Sequence, residues 1–293
     1  MKDLKNKVAV ITGSASGIGR ELAIQLADAG CTLALADIDE KGLASLAEKI
    51  ESKSVKVSVH LLDVSNREQV HQAAENIRAL HGRVDILINC AGVAVLETIE
   101  DMTYEDFEWV MGVNFWGVVY TVKAFLPLLK QGSEAHIVNV SSVDGIVPNP
   151  NGGAYGAAKA ATKCLTEALF QELHGTNISV TSVLPGGVKT NLHRNARFFK
   201  MACAGMTQEE CIAFFENAAL TSAAKAAKRI VKAIREKKGR VLIGLDGRLI
   251  DFCARLAPLG STALARYLSR NLTSKRFGLL QSLVQRLNAP FAK

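Results

Sequence analysis

Tyr155 and Lys159 are the two residues whose types and spacing most directly suggest chemistry in this sequence. They lie four residues apart in an Ala-rich run of high helix propensity, so both side chains should project from one helix face. An ammonium beside a phenol lowers the phenol pKa from its usual ~10, which would let the tyrosine exchange protons near neutral pH. Ser142 lies just upstream, at the end of a predicted strand. By itself, a Tyr-x-x-x-Lys spacing also occurs by chance as an exposed pair on many helices.

A glycine-rich turn, Thr12-Gly13-Ser-Ala-Ser-Gly17-Ile-Gly19, separates a short apolar run from a segment with helical periodicity. A turn of this kind lets the main chain approach a pyrophosphate and places the anion at the positive end of the following helix. Its glycines are four and then two residues apart, which differs from G-x-G-x-x-G, and a lone glycine turn is often only a tight turn. Its place between strand and helix favours a phosphate cradle.

Asp37 ends the second predicted strand, 18 residues beyond Gly19. A carboxylate there can accept hydrogen bonds from an adenosine ribose and repel a 2′-phosphate. No Lys or Arg lies within 14–16 or immediately after Asp37, so the charge that would pair with a 2′-phosphate is missing. The sequence therefore favours NAD as cofactor over NADP. The alternative is that Asp37 is a solvated turn residue that binds no cofactor.

Apolar runs of strand length alternate with helical patterns through most of the chain. The predicted strands are Lys7–Thr12, Thr32–Asp37, Val55–Leu62, Val84–Ile88, Ala135–Val140, Ile178–Leu184 and Arg240–Gly244. The predicted helices are Arg20–Ala29, Lys41–Ile50, Arg67–Leu80, Tyr104 to about Lys130, and Tyr155–His174. This alternation predicts an α/β fold, a doubly wound and mainly parallel seven-stranded sheet of the Rossmann type in residues 1–247, with a helical extension over 248–293.

Several motifs in a fixed order make residues 5 to about 247 resemble the short-chain dehydrogenase/reductase family. The glycine turn matches the family's T-G-x-x-x-G-I-G, and Asp63-Val64 matches its adenine-contacting pair. Asn89-Cys-Ala-Gly92 matches N-N-A-G, except that Cys90 replaces an asparagine, which should weaken one structural turn. Pro185-Gly-Gly-Val-Lys-Thr190 resembles the family's P-G-x-V-x-T stretch near the nicotinamide.

Asn114, Ser142, Tyr155 and Lys159 match the family's catalytic tetrad in order and spacing. The resemblance implies that Tyr155 is the general acid in reduction and the base in oxidation, with its phenolate stabilised by Lys159. Lys159 would also hold the nicotinamide ribose, and Ser142 would donate a hydrogen bond to the substrate oxygen. Asn114 would bend its helix and bind a water that links Lys159 to solvent.

The resemblance further implies an NAD-dependent oxidoreductase that interconverts a secondary or lipophilic alcohol and its ketone or aldehyde by hydride transfer. The expected cofactor-binding residues are Gly13, Ser16, Gly17, Ile18, Gly19, Asp37, Asp63, Val64, Asn89, Ala91, Gly92, Tyr155, Lys159, Pro185, Gly186, Val188 and Thr190. No metal site is expected. The alternative is a catalytically idle nucleotide-sensing or interaction protein that keeps the fold, and the intact tetrad argues against it.

The variable region 191–225 is expected to form a lid over the substrate. Its apolar side chains suggest a cover for a lipophilic alcohol or ketone, although they fit simple packing equally well. They are Phe198, Phe199, Met201, Met206, Phe214 and Phe215.

Composition and charge argue against a secreted, zinc-binding, disulfide-stabilised or nucleic-acid-binding protein. The polar start argues against a signal peptide, and six scattered cysteines without a Cys-x-x-Cys pair suggest neither a zinc site nor a disulfide framework, so a cytoplasmic location is expected. Residues 248–293 hold eight Lys or Arg against one acid, which accounts for the entire formal net charge of +7. A neutral body argues against a nucleic-acid groove.

The basic extension carries apolar residues at helical spacing, in two groups that Pro258 and Gly260 should separate. The groups are Leu249, Phe252, Cys253 and Leu256, and Leu280, Leu283, Val284 and Leu287. Basic amphipathic helices are candidates for peripheral membrane contact. They can equally cover the body or pack across an interface of the homodimer or homotetramer that the resemblance implies.

Overall fold

The computed structural model describes residues 1–198 and 208–271. Its strands are β1 (Val8–Thr12), β2 (Thr32–Asp37), β3 (Val57–Leu61), β4 (Ile86–Asn89), β5 (Val95–Leu96), β6 (Ala135–Val140), β7 (Ile178–Pro185), β8 (Val188–Lys189), β9 (Arg197–Phe198), β10 (Thr221–Ser222) and β11 (Arg240–Ile243). Its α-helices are α1 (Gly17–Asp28), α2 (Glu40–Glu51), α3 (Arg67–His81), α4 (Tyr104–Met111), α5 (Gly117–Gln131), α6 (Gly153–Glu172), α7 (Gln208–Ala218), α8 (Ala223–Glu236), α9 (Leu245–Leu256) and α10 (Pro258–Asn271).

Seven strands form one sheet in the order β11-β7-β6-β4-β1-β2-β3, and every neighbouring pair is parallel. The predicted doubly wound α/β sheet is therefore confirmed, with the same seven strands that the sequence predicts. The short strands form two further pairs, β5 with β9 and β8 with β10.

Both faces of the sheet are covered, which explains why its strands are continuously apolar. In β1, Ala9 and Ile11 join the core beneath α1, α2 and α8, whereas Val10 joins the core beneath α3, α5 and α6. This alternation follows from the two-residue period of a strand, and β1 is buried along its whole length.

The strand order reverses between β1 and β4, which are neighbours although two strands and three helices separate them in the chain. In a doubly wound sheet, the crevice at the carboxyl ends of such neighbours is where ligands bind. The turn after β1 and the turn after β4 meet there. The fold therefore brings two of the predicted motifs to the same point.

One long helix, Tyr104–Gln131, consists of α4, a π-helical turn and α5. It is long and apolar enough to cross a membrane by length and composition alone. Core helices pass the same test, and here Val118, Val122, Phe125 and Leu129 pack against the sheet. We therefore describe it as a core helix.

Helix α8 was not predicted from the sequence, which assigned no element to 226–239. Its buried residues recur at helical spacing and pack beside α1. They are Ala226, Ala227, Ile230, Ala233 and Ile234. That periodicity is the signal that could have identified it.

The C-terminal extension packs on the sheet domain through α9, which begins at Leu245, inside the region assigned to the main domain. Asp251 of α9 is 7% exposed and accepts hydrogen bonds from Arg240 of β11 and from Arg255. The next helix begins at Pro258, as predicted, whereas Gly260 lies inside that helix and does not divide the extension. The second predicted apolar group, at 280–287, lies outside the described residues.

Candidate active site

The glycine turn after β1 is shaped by contacts that exclude side chains. Gly13 has a φ of +67°, and a Cβ there would lie 2.6 Å from the main chain of Ala91. A Cβ on Gly19 would overlap the Gly13 carbonyl oxygen. Ser16 caps α1 without a side-chain hydrogen bond to the helix, and the first turn of α1 contains no acidic residue. These residues fit the phosphates of a dinucleotide, because the first main-chain N–H groups of a helix have no partner within it and its positive end attracts an anion.

Asp37 is tied to the glycine turn by its carboxylate. Its Oδ2 accepts a hydrogen bond from Ala15 N at 2.9 Å, and its Oδ1 accepts one from Asp39 N at 3.0 Å. The Arg20 guanidinium donates to the carbonyl oxygens of Ala15 in the glycine turn and of Gly42 in α2. The carboxylate therefore stands beside the cradle at the position predicted for ribose recognition.

Asp63 and Val64 follow β3, as predicted. The Asp63 Oδ1 accepts hydrogen bonds from Ser65 N at 2.9 Å and Ser65 Oγ at 2.7 Å, which fixes the turn. Val64 is buried, and a Cβ on Gly117 would lie 2.8 Å from its Cγ2. The turn after β3 is thus packed onto the start of α5.

The turn after β4 is held to β1 by the Thr12 hydroxyl, which accepts hydrogen bonds from Cys90 N at 3.2 Å and Ala91 N at 3.3 Å. Main-chain donors therefore hold this turn at the position where Cys90 replaces the family's asparagine. Burial raises the pKa of the Cys90 thiol to about 12. The Asn89 amide donates to Asn139 Oδ1 at 2.8 Å inside the core.

Asn114 lies at the centre of the π-helical turn Gly112–Trp116, so the predicted distortion of this helix is present. Its side chain is fully buried and exchanges two hydrogen bonds with Val93, donating to the carbonyl at 2.8 Å and accepting from the N–H at 3.1 Å. Its own carbonyl accepts from Thr162 Oγ1 at 2.9 Å. Gly92 makes room for it, since a Cβ there would lie 2.8 Å from Asn114 Oδ1.

Lys159 is 4% exposed on the inner face of α6. Its Nζ donates to the Val140 carbonyl at 3.0 Å, and Ser141 Oγ donates to the Lys159 carbonyl at 2.6 Å, so two contacts fix it to the end of β6. Burial lowers the pKa of the Lys159 ammonium to about 8, because desolvation disfavours its charged form.

Tyr155 lies one helical turn before Lys159 and is half-buried. The prediction that Lys159 lowers its pKa is wrong for this structure: burial, followed by the charge of Asp144, raises the pKa well above its usual range. The Lys159 ammonium lies 5.6 Å from the Tyr155 ring centroid and donates to Val140. Without further positive charge in the crevice, the phenol therefore holds its proton.

Ser142 lies two residues after β6 and is the N-cap of the 3₁₀ turn Val143–Gly145. Its hydroxyl accepts a hydrogen bond from Asp144 N at 3.1 Å and donates to Asp144 Oδ2 at 3.0 Å. The nearby Ser142 hydroxyl partly offsets the rise in the Tyr155 pKa. Asp144 was not identified from the sequence, although an acid two residues after a candidate serine is a signal that could have been used.

The stretch after β7 is held by α9. Pro185 ends β7, and Gly186 N donates to Ile243 O at 2.9 Å. Gly187 N donates to Asp246 Oδ2 at 2.6 Å, and a Cβ on Gly186 would overlap that carboxylate. Asp246 is a second residue that sequence reasoning missed, because it lies 59 residues beyond Gly187 in the chain.

Two more residues of this stretch lie beside elements of the site. Val188 pairs with Thr221 across β8 and β10. A Cβ on Gly17 would lie 3.2 Å from Thr190 Cγ2, so the end of the stretch reaches the glycine turn. Ile18, the remaining predicted residue of that turn, is 9% exposed and belongs to the core beneath α1.

The predicted lid is described in part. Residues 199–207, which include Phe199, Met201 and Met206, lie outside the described residues. On the N-terminal side of these residues, Arg197 of β9 pairs with Asp106 and stacks on Trp109. Its guanidinium carbon lies 3.8 Å from the Trp109 ring centroid.

On the C-terminal side of residues 199–207, the Phe215 ring stacks on His193 with 4.1 Å between the two ring centroids. Phe215 belongs to α7, and His193 lies in the loop after β8. Burial lowers the pKa of His193 to about 4, so this imidazole is neutral near neutral pH.

Comparison with known proteins identifies the family. Residues 7–200 match the family profile described as short chain dehydrogenase. SadH of Mycobacterium tuberculosis (strain H37Rv), named as an oxidoreductase, is 39% identical over 259 residues, which cover 87% of this chain and 92% of SadH. The chain belongs to the short-chain dehydrogenase/reductase family. The predicted family is therefore confirmed.

Solved structures agree with this assignment. A short-chain dehydrogenase/reductase of Burkholderia phymatum, solved in complex with NAD, matches with a TM-score of 0.80 and 31% identity over 87% of this chain and 96% of that chain. The alcohol dehydrogenase of the archaeon Thermococcus sibiricus, solved with 5-hydroxy-NADP, matches with a TM-score of 0.71 and 26% identity over 82% and 96%. This short-chain dehydrogenase/reductase thus has the fold of proteins that bind nicotinamide dinucleotides.

Replacing Gly13 by Ala should weaken NADH binding by at least about tenfold, because the new methyl group has no room against Ala91 and the loop must move. Gly175→Ala is the matched control. Gly175 also has a positive φ, +79°, but has nothing within 4 Å of a Cβ, so the variant carries a backbone cost of about 1–2 kcal/mol without a clash. NADH fluorescence titration measures the affinities, and equal affinity of the two variants would contradict the close-approach argument.

Proposed function

We propose that this protein is an NAD-dependent oxidoreductase that interconverts a secondary or lipophilic alcohol and its ketone or aldehyde. The observation that carries the proposal is the cluster of Asn114, Ser142, Tyr155 and Lys159 at the crevice beside the glycine turn. Three of them are buried polar side chains, and such groups are costly unless they are bonded or functional.

The cofactor would be held by the turns that converge on the crevice. The residues we assign to it are Gly13, Ser16, Gly17, Ile18, Gly19, Asp37, Asp63, Val64, Asn89, Ala91, Gly92, Tyr155, Lys159, Pro185, Gly186, Val188 and Thr190. When bound, a nicotinamide supplies or accepts the hydride and, in its oxidised form, adds positive charge to the crevice.

Proton transfer is the task of Tyr155. Because its pKa is raised, the phenol is protonated at neutral pH and can act as the general acid toward the oxygen of a carbonyl substrate. For alcohol oxidation the phenolate must form instead, and it requires nearby positive charge. Lys159, whose pKa of about 8 leaves it mostly protonated at neutral pH, supplies part of that charge from one helical turn away.

Asn114 and Ser142 complete the arrangement. Asn114 holds the Val93 main chain, which keeps the turn after β4 open next to the Lys159 ammonium. By resemblance to the family, we also assign it the water that links Lys159 to solvent. Ser142 would donate a hydrogen bond to the substrate oxygen as negative charge develops there.

Tyr155→Phe should lower the turnover rate by about 100-fold or more, because general acid–base catalysis by a positioned side chain contributes at least that much. The measurement is NADH absorbance across a panel of alcohols and ketones. Tyr104→Phe is the control, since Tyr104 is 86% exposed at the start of α4 and should leave the rate unchanged. Substantial turnover by Tyr155→Phe would contradict the mechanism, and cofactor binding without turnover by the wild type would favour the idle alternative.

The cofactor should be NAD in preference to NADP. Asp37 places a carboxylate beside the cradle, and Ile38, Asp39 and Glu40 follow it without a positive charge. Asp37→Ser should therefore shift the NAD-to-NADP ratio of kcat/KM by about tenfold to a hundredfold toward NADP, the range expected for one charged hydrogen bond. Steady-state rates with both cofactors give this ratio, and a wild type that prefers NADP would overturn the assignment.

We also propose that α9 makes peripheral contact with an anionic membrane. Leu249, Phe252 and Leu256 form an outer stripe and are 63%, 59% and 70% exposed, while the opposite face of α9 packs on the body. Exposed Arg248 and Arg255 flank the stripe, and residues 272–293 add four basic residues and no acid. Apolar area with adjacent positive charge is the composition that binds anionic lipid surfaces.

The double variant Leu249→Ser and Phe252→Ser should lose most co-sedimentation with phosphatidylserine vesicles, whereas wild-type binding should fall as salt is raised. Leu61→Ser and Leu80→Ser, at exposed positions of β3 and α3, form the matched control. Equal binding to neutral vesicles would contradict the proposal. A smaller oligomer by light scattering, with vesicle binding unchanged, would assign the stripe to the homodimer or homotetramer that we propose from the family.

A further inference from the structure

Asp144 is a carboxylate inside the candidate active site that the predicted tetrad does not include. It makes two hydrogen bonds with Ser142, one from its N–H to the hydroxyl oxygen at 3.1 Å and one to its Oδ2 from the hydroxyl at 3.0 Å. The single proton of the Ser142 hydroxyl is therefore used in a hydrogen bond to Asp144. In this arrangement, that proton is not directed to a substrate oxygen.

The position of Asp144 is fixed by its neighbours. Asn149 Nδ2 donates to its other carboxylate oxygen, Oδ1, at 2.6 Å. The turn that carries it is pressed onto α6, because a Cβ on Gly145 would lie 2.8 Å from Ala160 N and one on Gly156 would lie 3.2 Å from Asp144 O. The contact between Ser142 and Asp144 is thus part of the packed interface that also holds Tyr155 and Lys159.

We propose that Asp144 is a positioning residue whose protonation sets the direction of the Ser142 hydroxyl proton. Ionised Asp144 accepts the hydrogen bond from the Ser142 hydroxyl, so Ser142 can only offer a lone pair to the substrate. Protonated Asp144 can donate to the Ser142 oxygen instead, which leaves the Ser142 proton for the oxygen on which negative charge develops. The inference rests on the proposed function, since it concerns the serine of that site.

The electrostatics of the cluster support this role. Burial raises the pKa of Asp144, against the hydrogen bonds from Ser142 and Asn149 and the positive charge of Lys159. The groups that face it are Lys159 and Tyr155 from α6 and Ser142 and Asn149 from its own loop. As the pH falls through this raised pKa, the serine donor is released, so the rate of the chemical step should rise on the acid side.

Asp144→Asn is the direct test, with wild-type turnover as the reference that shows the proposed function to hold. A neutral amide can donate to the Ser142 oxygen at every pH, so kcat near neutral pH should rise by about tenfold, the value of one transition-state hydrogen bond, and the acid-side increase should disappear. The KM should change little, because the hydrogen bond forms only in the transition state. In a Ser142→Ala background, the same substitution should have a much smaller effect on kcat, because only the influence of the Asp144 charge on Tyr155 remains.

Two further measurements extend the test: the first leaves the Asp144 carboxyl in place, and the second requires no turnover. Asn149→Ala leaves the carboxyl in place, removes one stabilising hydrogen bond from its charged form, and should move the acid-side increase to higher pH. Tyrosinate ultraviolet absorbance, with Tyr155→Phe subtracted, should show a lower Tyr155 pKa in Asp144→Asn. An unchanged or lower kcat in Asp144→Asn, an equal effect without Ser142, or an unmoved Tyr155 titration would each overturn the proposal.

Discussion

The close approach of the main chain at the carboxyl ends of β1 and β4 is the constraint on which the site depends. Gly13 lies so near Ala91 that a Cβ would be 2.6 Å from the Ala91 main chain. Gly92 similarly leaves the space that Asn114 Oδ1 occupies. Because side chains are excluded here, the N-terminus of α1 and the Lys159 ammonium can open onto one crevice, where the strand order reverses.

Buried hydrogen bonds keep the elements around that crevice in register. Asn89 of β4 accepts from Thr121 of α5 at 2.8 Å and donates to Asn139 of β6, which donates to Thr166 of α6 at 3.0 Å. A buried polar group that loses its partner is costly, so this chain fixes the relative placement of the two strands and two helices. The π-helical turn that leads into α5, the turn after β6 and α6 itself carry the four residues of the proposed tetrad.

Desolvation controls the charges of the site. It lowers the pKa of Lys159 and raises those of Tyr155 and Asp144, so all three groups are shifted toward their neutral forms. A positively charged ligand in the crevice would favour the Tyr155 phenolate, which would couple binding to proton transfer. Helix α9 supports the site from outside the crevice. Its Asp246 accepts a hydrogen bond from Gly187 N, and its Gly247 packs near Val143, next to Ser142.

The sequence by itself determined the seven-stranded parallel fold, because strand and helix periods and glycine turns are local properties of the chain. Its motifs, in their order along the chain, indicated the family and the residues of the proposed tetrad. It did not reveal the partnership of Ser142 with Asp144 or the contact of Asp246 with Gly187. It also predicted a lowered pKa for Tyr155, where the structure raises it. Only the tertiary structure decides these features, since desolvation and contacts between distant segments exist only once the chain is packed.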